Sequence, residues 1–298
     1  MTESCFNNDN QQWAWDASSI SIIQACPRKY YYKMVEGWSN PFPSVHLLFG
    51  AIYATALEHY FKHLSEGADK EEALRLIVRE ALIESHGRDF PHNTKTRENL
   101  IRTIVWYFEH FKEDAATTIE LSDGKPAVEL SFKMDVGNGI LYCGHLDRFV
   151  ELNGDPYVMD QKTTGATLSP YYFNQFNNSF QMSGYTFAGK SMFSIPVKGV
   201  IIDAAQIAVG FTRFDRGFTF RTESNLNEWY DELHYWIQFA HSFDPSGGEA
   251  AWPQNKSSCG NYGGCEFAEV CAKSHDVRPQ FLAAKFCKGE RWNPLEER

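Results

Sequence analysis

Near residue 127 the spacing of apolar residues changes from helical to extended, and this change constrains the fold more than any other feature of the chain. Before it, residues 48–64, 71–85 and 97–116 carry apolar side chains at i, i+3, i+4 spacing, the mark of amphipathic helices. Residues 18–38 read as a further helical segment, interrupted at Pro27. After it, AVELSFKMDV and GILYCGHLDRFVEL flank Gly137-Asn138-Gly139 and predict a β-hairpin. Asn153-Gly154-Asp155-Pro156 is a second turn, leading into PYVMDQKTT as a third strand. Ser169-Pro170 opens a helix expected to run to about residue 193. GVIIDAAQIAV then reads as a buried strand, GFTFRT as a shorter one, and 226–241 as a helix, with a loop-rich stretch over 244–271. The order predicts an α/β core sheet flanked by helices, with a helical N-terminal region.

Within 298 residues, 43% hydrophobic and 15% aromatic, there is enough apolar material for one large core. The expected organisation is a flexible tail over 1–18 and a single domain over 19–298. That domain divides into a mostly helical part (19–120), a core (121–243) and a Cys-rich loop with the C-terminal segment (244–298). No apolar run reaches the length of a membrane span. The start, MTESCFNNDN, reads as neither a signal nor a transit peptide, so a cytoplasmic location is expected. The net charge of −10 argues against non-specific coating of nucleic acid, while leaving room for a local basic groove or an acidic, metal-filled site.

Three charged residues sit in two expected strands rich in apolar neighbours: Asp147, Asp160 and Lys162. Asp160 and Lys162, two apart, share a strand face, and Asp147 on the adjacent antiparallel strand reaches the same face. Converging carboxylates repel unless a hard divalent cation accepts them. A neighbouring lysine suits orienting a water nucleophile or offsetting transition-state charge. The set points to metal-assisted phosphodiester hydrolysis, whereas D-x-K alone is also common in ordinary surface ion pairs.

Gln181 and Tyr185 follow, four apart on the next expected helix and so on one face. In this order GHLD, a turn, DQK and a helical Q-x-x-x-Y resemble the RecB-like branch of the PD-(D/E)XK nuclease superfamily. The stretch from Ser19 to Tyr30, Phe49-Gly50 with Leu57-Glu58, and Val128-Glu129-Leu130 resemble further motifs of that branch. The resemblance implies a restriction-endonuclease-like core and a Mg²⁺- or Mn²⁺-dependent deoxyribonuclease. In that reading Asp147 and Asp160 bind the metal, the Gln161 carbonyl completes the protein ligands and Lys162 positions the attacking water. Gln181 and Tyr185 help hold the site and the DNA strand. Glu129 is a further catalytic candidate, with pairing to a nearby base as its ordinary alternative. The implied activity is exonucleolytic, on single-stranded DNA or DNA ends, in recombination, repair or phage DNA processing, in a bacterial, archaeal or phage-infected cell. A recombination or repair protein is the expected partner, and no membrane is involved. One departure stands out: where the branch carries a metal-ligating histidine four residues after the motif glycine, this chain has Ala54. His59 faces elsewhere on that helix, and His46 lies in an expected loop. The alternative function is therefore a DNA- or partner-binding module with a weakened nuclease site.

Seven cysteines are unevenly spread, and Cys259, Cys265 and Cys271 lie six apart among glycines. Such a cluster suggests a metal centre more than disulfides in a reducing compartment. The resemblance extends to exonucleases related to the CRISPR-adaptation nuclease and to AddB. It implies Cys26 as fourth ligand of a [4Fe–4S] cluster, with zinc as the chemical rival. Tyr30, Tyr31 and Tyr32 could stack on single-stranded DNA, but packing against the core is favoured for at least two of them. Lys190 and Lys198 read as solvated surface, and the 97–116 helix with Trp106, Tyr107, Phe108 and Phe111 as core.

Overall fold

The computed structural model describes residues 3–42, 44–193 and 195–296. Its elements begin with strand β1 (Ala14–Trp15), helices α1 (Ala17–Ala25) and α2 (Pro27–Tyr30), a π-helical turn (Tyr31–Val35) and β2 (Trp38–Ser39). Three longer helices follow, α3 (Val45–Ser65), α4 (Lys70–Glu84) and α5 (Arg97–His110), then strands β3 (Thr117–Thr118), β4 (Val128–Asp135), β5 (Leu141–Leu152) and β6 (Asp155–Thr164). Next come α6 (Pro170–Asn174), α7 (Phe180–Met192), β7 (Gly199–Ile207), β8 (Thr212–Phe220) and α8 (Glu223–His241). After short 3₁₀ turns the chain closes with α9 (Ala268–Ala272), α10 (Arg278–Lys285) and β9 (Cys287–Lys288). The arrangement is α/β, with a mixed sheet flanked by helices, as the change of period predicts.

The chain divides into two compact units, Met1–Phe42 with Lys133–Gly144 and Asn227–Arg298, and Pro43–Phe132 with His145–Leu226. In the second unit β6 pairs antiparallel with β5 and parallel with β7, and β8 pairs antiparallel with β7. Asn153 (φ 54°) and Gly154 (φ 82°) form the two-residue turn between β5 and β6, setting Leu152 opposite Asp155. Left-handed backbone at both positions is what an Asn-Gly hairpin turn provides. Because β7 is buried throughout, GVIIDAAQI is nearly continuous in apolar residues; β8, at the sheet edge, alternates. The three long helices pack with the end of β7 into a core around Phe49, Tyr53, Leu57, Ile77, Ile104, Tyr107 and Ile207. Asp69 and Thr96 cap α4 and α5, each side chain accepting from a backbone N–H three residues on.

In the first unit β1 runs parallel to the start of β5, Ala14 opposite Leu141, and Ala14 and Trp15 are fully buried. The stretch expected as a tail thus contributes a strand and a core tryptophan. Asp16 and Ser19 form a capping box on α1. Trp15 stacks on Tyr30 at 5.6 Å, and Tyr30 and Tyr31 lie 5.5 and 5.7 Å from Trp252. All three tyrosines of the 30–32 run are buried, one more than the packing reading required. β2 and β9 form a separate two-stranded pair, Ser39 opposite Cys287.

Several boundaries differ from expectation. The 97–116 helix ends at His110, and Trp106 on it is 42% exposed beneath Arg102 rather than core. The helix expected over 169–193 is two helices, because Ser179 caps a fresh start at Phe180 after the Asn177-Asn178 pair. GFTFRT is the end of a nine-residue strand. His46 lies in the first turn of α3, not in a loop. Among the described residues no helix is long and apolar enough to cross a membrane.

Candidate active site

The register of β5 on β6 places Arg148 opposite Met159, and one further step sets Asp147 opposite Asp160. The two carboxylates therefore share a sheet face with Lys162. Asp160 is 1% exposed, and Lys162 Nζ lies 2.7 Å from its Oδ1 and 2.6 Å from its Oδ2. Asp147 Oδ2 accepts from the Gln161 backbone N–H at 2.8 Å. Burial, and then the Asp160 charge, push Asp147 up to about 7. Burial likewise raises Asp160, opposed by Lys162. Burial pulls the Lys162 ammonium down, but the Asp160 and Asp147 carboxylates outweigh it and hold it above the ordinary lysine range.

Glu129 is close enough to raise Asp147 further, and its backbone adopts φ 46° inside β4. A left-handed glutamate within a strand is strained, and such strain gathers at functional sites. On α7, which packs on β6, Gln181 Nε2 donates to Tyr185 Oη at 2.9 Å. Asp147, Asp160, Gln161, Lys162 and Glu129 are thus gathered at one place. Gln181 and Tyr185 are joined to each other on the neighbouring helix.

Three further residues in or beside β6 carry no motif. Tyr172 on α6 has its hydroxyl pushed up to about 12 by burial and then by the Asp160 charge. Lys95 Nζ donates to Thr163 Oγ1 at 2.9 Å, and Lys95 is only 4% exposed. Thr163 also faces α3, since a Cβ at Gly50 would meet its Oγ1 at 3.6 Å. The Tyr172 signal was present in SPYYF just past the third strand, whereas a lone lysine in a polar loop gives none.

One turn after Gly50, Ala54 lies on the same helix face. His59 Nδ1 instead meets Glu80 at 2.7 Å, on the side facing α4. Two buried carboxylates, one raised by the charge of the other, are a set that a divalent cation would relieve. A two-carboxylate set suits Mg²⁺, which keeps several waters. Among the described residues no group of three or more His, Cys, Asp or Glu side chains is arranged to hold a metal ion.

The four cysteines lie within the first unit. Cys26 Sγ accepts from the Asn255 N–H at 3.3 Å, and the Cys265 N–H donates to the Cys259 carbonyl at 2.8 Å. The Cys265 thiol feels Cys26 and Cys259, and the Cys271 thiol, raised to about 11 chiefly by burial, feels Cys26 and Cys265. Cys265 and Cys271 are thus each within electrostatic reach of Cys26. Cys5 and Cys143 are buried, and Cys287 is exposed.

A mixed α/β sheet carrying two opposed carboxylates and a lysine on its central strands defines a nuclease-like α/β protein. The profile of the PD-(D/E)XK nuclease superfamily matches residues 14–272, and the chain belongs to that superfamily. Membership carries metal-dependent nuclease chemistry, with DNA as substrate and a divalent metal such as Mg²⁺ as the usual cofactor. No curated protein matches the chain. A solved structure titled "Crystal structure of SSO0001" aligns over 76% of this chain and 77% of its own, at 10% identity and a TM-score of 0.29. At that level it says nothing about fold or activity.

Proposed function

We propose that the protein is a Mg²⁺- or Mn²⁺-dependent exonuclease acting on single-stranded DNA or DNA ends, in recombination, repair or phage DNA processing. The observation that carries this reading is Asp160, a carboxylate 1% exposed, set opposite Asp147 and beside Lys162. Asp147, Asp160 and the Gln161 carbonyl would hold the cation. The cation would supply Lewis acidity and a more acidic water. Lys162 orients the attacking water by donating from Nζ, Glu129 raises the carboxylate field, and Gln181 with Tyr185 steadies the strand. Cys26, Cys259, Cys265 and Cys271 hold a [4Fe–4S] cluster, a reading supported by the electrostatic reach of Cys265 and Cys271 to Cys26, with zinc as rival. Digestion of end-labelled single-stranded DNA with Mn²⁺, with Asp160→Ala as control, tests the assignment. Cleavage that survives Asp160→Ala would place the chemistry elsewhere.

Ala54 supports a second reading, a DNA- or partner-binding module whose nuclease site is weakened. It has no imidazole to offer on the α3 face that Gly50 turns toward Thr163. Retention of labelled DNA without cleavage would favour this module.

A further inference from the structure

Two consecutive residues of β5 carry charge, and only the first belongs to the site above. Asp147 shares its face with Asp160, so Arg148 lies on the other face of the sheet, in register with Met159. On that side the second unit holds a cavity of about 540 Å³, a size typical of small-molecule sites. Phe61, Phe108 and Phe111 line it, as does Arg148, which is 1% exposed. The guanidinium sits 4.4 Å from the Phe61 ring centroid, and its Nη2 lies 3.8 Å from Asp114 Oδ2, beyond hydrogen-bond reach. That carboxylate is already engaged by Arg216 Nη1 and Nη2, each at 2.7 Å.

Among the described residues neither Nε nor Nη2 of Arg148 has a hydrogen-bond partner, and neither does Oγ1 of Thr118, which also lines the cavity. Buried donors left unpaired are costly and rare in folded proteins. An entering oxyanion would satisfy them, and a planar guanidinium matches carboxylate and phosphate oxygens. The aromatic walls favour a flat ring on the same molecule. Exposed Lys70 and Lys112 at the lining attract anions, while Glu113 and Glu120 disfavour a polyanion.

We infer that this cavity is a second ligand site, for a small anion that joins one phosphate or carboxylate to an aromatic ring system. A nucleoside monophosphate, the class of product released by DNA hydrolysis, meets that description. The choice of nucleotide rests on the nuclease reading, whereas the anion site does not.

Calorimetric titration of the intact protein in EDTA, with deoxyadenosine 5′-monophosphate, benzoate, inorganic phosphate and deoxyadenosine as separate probes, tests this. The monophosphate or benzoate is expected to bind at least about tenfold more tightly than phosphate or the neutral nucleoside. Saturable benzoate binding without nucleotide binding would keep the anion site and remove its link to DNA hydrolysis. Arg148→Gln should weaken the bound probe at least about tenfold. Ser65→Trp, at an exposed position on the cavity lining, should do the same with the charge intact, while Lys162→Met on the opposite face leaves affinity unchanged. No binding of either aromatic anion, or binding lost in Lys162→Met and kept in Ser65→Trp, would overturn the proposal. A cleavage assay on the same preparation reads the nuclease assignment separately, since these titrations contain no divalent metal.

Discussion

Asp160 keeps a nearly inaccessible carboxylate two residues from Lys162 and opposite Asp147. Replacing it with the isosteric amide in Asp160→Asn removes the charge that would anchor a cation and leaves the packing in place. We predict a loss of cleavage of at least about 10³-fold, the scale expected when several kcal/mol of charge stabilisation disappears. Thermal scans give an independent readout: Mn²⁺ should raise the unfolding midpoint of the parent and not of the variant. Lys95 sets a different expectation. Burial lowers its ammonium from the ordinary 10.5 to about 8. Between those values the unfolded chain holds a proton that the folded chain lacks, so this residue makes stability rise with pH. From pH 7 to pH 9 the rise is about 1 kcal/mol. Urea midpoints for Lys95→Met should lose that slope, and an unchanged slope would mean that Lys95 stays charged in the folded protein.

At the scale of elements, the hairpin and strands that carry the site were legible because each has its own local signal. The Asn153-Gly154 turn fixes the register that brings Asp147 to Asp160, and period-two patterning shows which face they share. What was not legible lay in competition or distance. Residues 175–179 are polar enough to continue an exposed helix face, yet Ser179 caps a new start. The far-face network joins Asp114 to Arg216 and Tyr107 to Asp203, pairs 102 and 96 residues apart, which no local pattern announces. α3 carries the prediction that belongs to this scale. Gly50 approaches Thr163 at the end of β6, so Ala54→His one turn later would place an imidazole beside that strand end. If the site is short of one ligand, parent cleavage is weak and Ala54→His raises it about tenfold or more, the size of effect seen when metal ligation is improved. Vigorous parent cleavage with no gain would mean that two carboxylates and a carbonyl suffice. An inactive parent with no gain would favour the binding module.

Taken whole, the chain ties its beginning to its end within the first unit, and the four cysteines sit where those stretches meet. Arg28 Nε donates to the Trp252 carbonyl at 2.7 Å, Lys33 meets Glu266 at 2.7 Å, and Asn255 Nδ2 donates to the Ala25 carbonyl at 2.9 Å. Trp15, Tyr30, Trp252 and Phe243 pack ring against ring across the same stretches. These contacts join the two stretches that carry the four cysteines. A four-thiolate centre would add folding energy to a junction already formed. We therefore predict that anaerobically purified protein is brown, with broad absorbance near ~400 nm and about four irons per chain. Cys26→Ala and Cys265→Ala should lose the iron equally, although they lie 239 positions apart in the sequence, because either opens the same centre. Each should lower the unfolding midpoint by about 5 °C, corresponding to roughly 3 kcal/mol in a chain of this size. Cys287→Ser, at an exposed position outside the group, should change neither quantity. A colourless preparation with one zinc per chain would transfer the four thiols to a structural zinc site. Iron retained by Cys26→Ala but lost by Cys265→Ala would remove Cys26 from the ligand set.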